Sequence, residues 1–279
     1  TMRKGVMYRE IEYHYRDYEE NGQKLVNEKN RVQTMLQDTF PELIELFKKR
    51  SQQPDVFYKI ALQFPHADYV LESTKDELNE KLKNTIRIKR EKKIEELIQL
   101  ADKSAPGEDR DSYLVKSIKI HCQRVIDLID ERTLLFEEMQ RIMSTLPEHD
   151  ILTSIPGLGE LSAIGLVAHL GDIRRFSTPS KLKAFVGLDV RHNDSGKHKT
   201  TGYISKKGNS MTRKLLYNIV IAMIGVSRRK FGEPNRVVNY YERKTKTIKK
   251  GKKKYIVGAM DRLLRMIHHM VINSEMYAY

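Results

Sequence analysis

The chain has 279 residues, 32% of them charged, and a formal net charge of +14. That length allows one large or two ordinary domains. The basic balance, with a pI near 9.6, points to a polyanion partner more than to an acidic small molecule. The single cysteine, Cys122, excludes an intrachain disulfide. No signal peptide and no apolar run of membrane-spanning length is visible, so a cytoplasmic protein with no membrane partner is expected. A merely soluble basic protein is the plainer alternative.

Residues 2–50 read as mostly helical, with Val6, Tyr13, Tyr18, Leu25, Val32, Leu36, Leu43 and Phe47 at roughly helical spacing. Pro41 opens a new helix, with Thr39 as its candidate cap. Tyr8, Tyr13, Tyr15 and Tyr18 alternate with charged residues. They form either a stacking surface for nucleic acid or the packed face of a helix. Residues 51–104 read as a small helical subdomain. Gln63-Phe64-Pro65-His66 breaks it, and Ser73 or Thr74 caps a helix with Asp76 and Glu77 in its first turn.

Residues 112–146 carry the strongest periodicity. Val115, Cys122, Ile129, Phe136 and Met143 lie seven apart, interleaved with Ile118, Val125, Arg132, Met139 and Leu146. That is a coiled-coil seam over about five heptads with one polar position, Arg132. Ile120, Ile126 and Leu128 widen it, so an intrachain antiparallel hairpin with the helix from about Arg3 to Asp38 is expected as well as a homo-oligomer. Cys122 falls on the apolar face, as a small core residue. Pro147 ends the helix. The expected division is a helical and coiled-coil region, 1–146, and a second domain, 147–279.

Ile155-Pro156-Gly157-Leu158-Gly159 is a tight turn between a short helix ending near Thr153 and an apolar helix from Glu160 to Leu170. It reads as a helix-hairpin-helix unit. The free N–H groups at the second helix start suit a phosphate, unless the turn is only a glycine-rich connection. Lys181 to Val186 is a short helix ended by Gly187. Residues 191–202 show no apolar period and read as an exposed loop, the place where chemistry usually sits. Ser195 is the candidate nucleophile there, in a cationic field from Arg191, His192, Lys197, Lys199, Lys206 and Lys207. His192 or His198 could move the proton. The alternative is an ordinary Ser-Gly turn whose lysines only hold DNA. Ser210 is expected to cap a helix from Met211 to Ser227, where Arg213 and Lys214 are candidate phosphate contacts. Arg243 to Lys254 is a basic run without an acid, and a last helix covers Tyr255 to Asn273.

Five pieces, in order, carry a resemblance. They are Ser154-Ile155-Pro156-Gly157-Leu158-Gly159; Leu170-Gly171-Asp172-Ile173 with Phe176; Gly187-Leu188; Ser195-Gly196-Lys197; and Ser205-Lys206-Lys207-Gly208-Asn209 with Arg213, Leu215, Leu216 and Tyr217. Together they resemble the C-terminal domain of insertion-sequence transposases of the one-ten, one-sixteen and nine-oh-two class, relatives of Piv-type DNA invertases. The resemblance implies a DNA recombinase in which Ser195 forms a phosphoserine link. It adds a structured guide RNA as a second partner and assembly through long helices, while Gly157, Gly159, Lys197, Lys199, Lys206, Lys207, Arg213 and Lys214 remain the candidate nucleic-acid contacts read from the residues. Family members begin with a RuvC-like domain whose four carboxylates bind a divalent metal. The acids Glu10, Glu12, Asp17 and Glu19 lie on an expected helix instead of after strands, so no metal ligand is carried over. Mg²⁺ is expected only alongside a RuvC-like domain, and the chain is expected to be a C-terminal half, a truncated gene product or one piece of a split enzyme. The fold expected throughout is all-α.

Overall fold

The computed structural model describes residues 5–47, 55–188, 190–191, 194–195, 198–199, 203–204, 207–227, 235–248 and 250–278. The fold is all-α. Contacts group the chain into two compact units, one of residues 18–134 and one of residues 1–17 with 135–279. Helix α1 (Val6–Leu36) and helix α6 (Tyr113–Met143) each contribute to both units. The grouping therefore differs from the 146/147 division read along the sequence.

In the unit of residues 18–134, α1 and α6 run antiparallel. Asn21 Nδ2 donates to the Leu128 carbonyl at 3.1 Å and to Glu131 Oε2 at 2.9 Å, while Glu28 Oε2 meets His121 Nδ1 at 2.5 Å. The polar seam position, Arg132, lies with its guanidinium carbon 3.5 Å from the Tyr18 ring centre and donates to the Tyr18 carbonyl at 2.6 Å. Gly22 makes room for it, since a Cβ there would fall 2.7 Å from Arg132 Nη1. A glycine inside a helix costs about 1 kcal/mol relative to alanine, which the half-buried arginine's contacts with Tyr18 offset.

A 3₁₀ turn (Pro41–Phe47) and helices α2 (Val56–Gln63), α3 (Ala67–Leu71), α4 (Lys75–Leu82) and α5 (Arg90–Lys103) complete this unit. Their core joins Phe40, Leu43, Ile60, Phe64, Leu78 and Leu97 to Ile118, Cys122 and Val125. Thr74 caps α4 in a full capping box with Glu77. Thr39 does not cap the 3₁₀ turn as expected. It is fully buried, and its hydroxyl has no hydrogen-bond partner among the described residues.

The second unit holds α7 (Glu148–Thr153), α8 (Glu160–Leu170), a 3₁₀ turn (Ile173–Arg175), α9 (Pro179–Val186), α10 (Ser210–Ser227), α11 (Arg236–Thr245) and α12 (Lys253–Asn273). Helix α8 is buried from Ala163 to Ala168 and at Leu170, the pattern of a helix covered on nearly every side. Its small residues serve close packing. A Cβ on Gly165 would lie 2.6 Å from Tyr15 Oη and 2.9 Å from Leu215 Cδ2. Helix α12 packs against α7, α9, α10 and α11. Helix α11 was not expected from the sequence. It presents Val237, Val238, Tyr241 and Thr245 to the core on one face.

Candidate functional site

The residues between α9 and α10 contain four two-residue strands, where an irregular loop was expected. They are β1 (Val190–Arg191), β2 (Asp194–Ser195), β3 (His198–Lys199) and β4 (Tyr203–Ile204). Strand β1 pairs antiparallel with β4, and β2 with β3. In chain order the inner pair, β2–β3, falls between β1 and β4, and the segment from Val190 to Ile204 is termed the arm. Its inner register sets Ser195 across from His198 and Asp194 across from Lys199. Its outer register sets Val190 across from Ile204. His192, Lys197 and Lys206 lie outside the described residues.

The root of the arm explains several of the quoted motif residues. Gly187 ends α9 at φ +76°. Its amide reaches the carbonyls of Lys183 and Ala184, both at 3.0 Å, and the Leu188 amide reaches Lys183 at 3.1 Å, a left-handed helix stop that favours glycine. Gly208, arriving from the other end of the arm, is pressed onto this stop. A Cβ there would sit 2.3 Å from the Phe185 carbonyl oxygen and 2.4 Å from the Gly187 nitrogen. The Asn209 amide donates to the Phe185 carbonyl at 3.2 Å. Arg213 Nη1 donates to the Val186 carbonyl at 2.9 Å and to the Gly208 carbonyl at 3.0 Å. The guanidinium thereby joins the two ends of the arm. Asn209 Oδ1, not the expected Ser210, caps α10, accepting from the amides of Met211 at 3.0 Å and Thr212 at 3.1 Å. Lys207 and Lys214 are exposed beside this root. Gly208 and Asn209 touch α9 through a tertiary contact that no local sequence pattern carries.

The turn between α7 and α8 is buttressed from three sides. Gly157, at φ +85°, faces α10, where a Cβ would fall 3.0 Å from Met223 Cγ. Asn235, almost fully buried, donates to the Pro156 carbonyl at 2.7 Å, and its Oδ1 accepts from the Val237 amide at 2.7 Å to cap α11. Ser154 Oγ accepts from the Tyr277 amide at 2.9 Å. Gly159 differs from Gly157: a Cβ there would meet nothing within 4 Å, and its φ of −81° suits any residue. The start of α8 already carries Glu160, whose Oε1 lies 3.1 Å from His149 Nε2.

Near the start of α7, the fully buried Glu148 pairs with Arg174 and accepts from Tyr8 Oη at 3.0 Å. Burial, then the Glu148 charge, pushes the Tyr8 hydroxyl well above its ordinary range. Tyr8 is thus a structural tyrosine. Tyr15 is buried edge-on to His169 at 5.2 Å. Tyr13, of the same group, is exposed. Among the described residues no group of three or more His, Cys, Asp or Glu is placed to hold a metal ion. No helix of the described residues is long and apolar enough to cross a membrane.

Residues 149–234 match the transposase IS116/IS110/IS902 family. They take in α7, the turn, α8, α9, the arm and α10. The match covers under a third of the chain, and over this segment the chain is similar to that transposase family. It is similar to the transposase for insertion sequence element IS1111A of Coxiella burnetii, 36% identical over 88 residues, which are 32% of this chain and 24% of that protein. It is similar to a probable family 20 transposase of Pseudomonas aeruginosa, 34% identical over 73 residues, 26% of this chain and 22% of the relative. It also resembles the pilin gene-inverting protein of Moraxella bovis, 27% identical over 154 residues, 52% of this chain and 44% of the relative. In each case the match spans less than half of the relative's length.

Proposed function

We propose that this chain is the DNA-engaging, serine-bearing part of an insertion-sequence recombinase, with Ser195 as the nucleophile. The observation that carries the reading is the arm: the serine stands in its inner pair, and Gly187, Gly208 and Arg213 fix its root. In the proposed step Ser195 Oγ attacks a DNA phosphorus and loses its proton to His192 or His198. The phosphorus–oxygen bond to the departing strand breaks, and that oxygen takes up a proton. Backbone register puts His198 opposite the serine, which supports it as proton acceptor. Lys197, Lys199, Lys206 and Lys207 stabilise the charge that builds on the phosphoryl group.

The hairpin between α7 and α8, with Gly157 and Gly159, serves in this reading as a phosphate contact alongside Lys214. Glu160 partly serves the helix dipole already, so this contact is weaker than the lysines. Arg213 acts chiefly by holding the arm. A guide RNA and assembly into a homo-oligomer complete the proposal. Mg²⁺ enters only with a RuvC-like domain.

The net charge of +14 also favours a second reading, a nucleic-acid-binding protein in which Ser195 is inert. The two separate in one trapping experiment. The chain is mixed with DNA, with and without Mg²⁺, structured RNA and a RuvC-like domain, and a denaturation-resistant adduct is sought. The expected result is an adduct that disappears in Ser195→Ala. Intact DNA binding without an adduct under every condition would overturn the nucleophile.

A further inference from the structure

Away from the arm, α11 and α12 enclose an open cleft of about 370 Å³ lined by Arg236, Asn239, Tyr240, Arg243 and Arg262. The placing follows from helical spacing. Arg236, Tyr240 and Arg243 recur at intervals of four and three on the face of α11 opposite Val237, Val238 and Tyr241, which are buried. Arg262 comes from α12, and its guanidinium carbon lies 4.1 Å from the Tyr240 ring centre. Gly258 of α12 lets the tyrosine settle there, because a Cβ would be 2.5 Å from Tyr240 Oη.

The charge in this cleft is unbalanced. Elsewhere in the same unit, Arg141 pairs with Glu138, Arg174 with Glu148 and Arg265 with Asp261. Arg236, Arg243 and Arg262 pair with no carboxylate among the described residues. Three guanidiniums gathered without a counter-charge repel one another, and an anionic ligand relieves that repulsion. The volume is at the small end for ligand sites, on the scale of a single nucleotide. A guanidinium backed by an aromatic ring offers a flat cationic face for a base. The chain leaving α11 continues with exposed Lys244, Lys246, Lys250, Lys252, Lys253 and Lys254, a track for flanking phosphates.

We propose that this cleft holds one unpaired nucleotide of a single-stranded nucleic acid, its base on Arg262 and its phosphates between Arg236 and Arg243. The site is separate from Ser195 and does not depend on its chemistry.

The test uses the full chain and labelled oligothymidylate, followed by fluorescence anisotropy across a salt series, with a hairpin duplex in parallel. Arg262→Gln is expected to weaken single-strand binding about tenfold, the scale of one lost stacking contact. Arg236→Gln and Arg243→Gln are each expected to lower the salt slope by about 0.7, as for one lost phosphate contact on a single strand. Duplex binding is expected to stay within about twofold, on the scale of an unaltered interface. Unchanged single-strand affinity and slope in the triple variant would overturn the proposal, as would an equal loss on duplex. Photocrosslinking with an iodouracil-bearing strand gives an independent check on the unaltered chain. An adduct on the peptide containing Tyr240 supports the site, and adducts confined to residues 191–207 overturn it.

Discussion

Replacing Gly208 by alanine puts a methyl group where two stretches of backbone already touch. The Cβ would lie 2.3 Å from the Phe185 oxygen, 2.4 Å from the Gly187 nitrogen and 2.5 Å from the Val186 carbonyl carbon. None of these is the end of a flexible side chain, so no rotamer relieves the clash, and the strands of backbone must part by roughly 1 Å to approach ordinary carbon contacts. Parting them lengthens the Asn209 amide bond to Phe185 and makes Arg213 surrender one of its two carbonyls. Overpacking costs about 1–3 kcal/mol, and a hydrogen bond from a charged donor about 1.5–3 kcal/mol. The expected total is about 3 kcal/mol, concentrated at the arm root, because the arm can detach without unfolding α8 or α12. Hydrogen exchange reads it directly. The Asn209 amide should exchange on the order of 100-fold faster, while amides of α8 are unchanged, and any Ser195-dependent DNA adduct should fall. Gly159→Ser is the control. With open space around its Cβ and a better capping side chain, it should be neutral or a few tenths of a kcal/mol stabilising. Equal exchange at Asn209 in both variants would refute the clamp.

Asn235→Ala removes both the donor to Pro156 and the cap of α11. A loss of about 2–3 kcal/mol in denaturant unfolding is expected, and a change below about 0.5 kcal/mol would show the amide to be dispensable. Burial pushes the Cys122 thiol up to about 12. At pH 8 only roughly one molecule in 10⁴ carries the thiolate, so iodoacetamide should leave the native chain unmodified and alkylate it in concentrated guanidinium. Because the folded value is raised, this contribution is present below the unfolded pKa of about 8.5 and is lost as pH rises towards 12. Backbone and side-chain hydrogen bonds from Thr74 hold the exposed Glu77 carboxyl below its ordinary value. Its contribution is therefore present above the unfolded pKa of about 4.3 and is lost as pH falls through the folded value. Glu77→Gln should flatten the drop in urea midpoint between pH 5 and pH 3, and identical drops would refute the capping box as its source.

What the sequence shows well is periodic over many residues or marked by stop and start chemistry. The stripe from Val115 to Leu146 is largely buried as expected, and α8 has the expected bounds, Glu160 to Leu170. Gly187 stops α9, and α12 ends at Asn273 as read. Helix α11 was hidden because its apolar set, Val237, Val238 and Tyr241, is short and runs into the basic stretch from Arg243, which dominates the composition. The cap at Asn235 just after Pro234 was the available signal. The strands of the arm are two residues each, too brief for alternation to register. The cleft of Arg236, Tyr240 and Arg262 joins two helices and has no linear pattern. The resemblance pointed to the segment that the family model matches, but not to the use of Gly208 and Arg213 as a fastening.

That fastening makes the arm a replaceable tip. Its two ends leave the helices at touching points of backbone, so the intervening chain closes a loop whose entropy changes by only about 0.6 kcal/mol for each doubling of length. Changes of length or composition between Leu188 and Lys207, away from Ser195 and the residues proposed to serve it, are therefore expected to leave α9 and α10 as they are. Sequence change there leaves the stability of the helical body in place, provided that Gly187, Gly208 and Arg213 are kept.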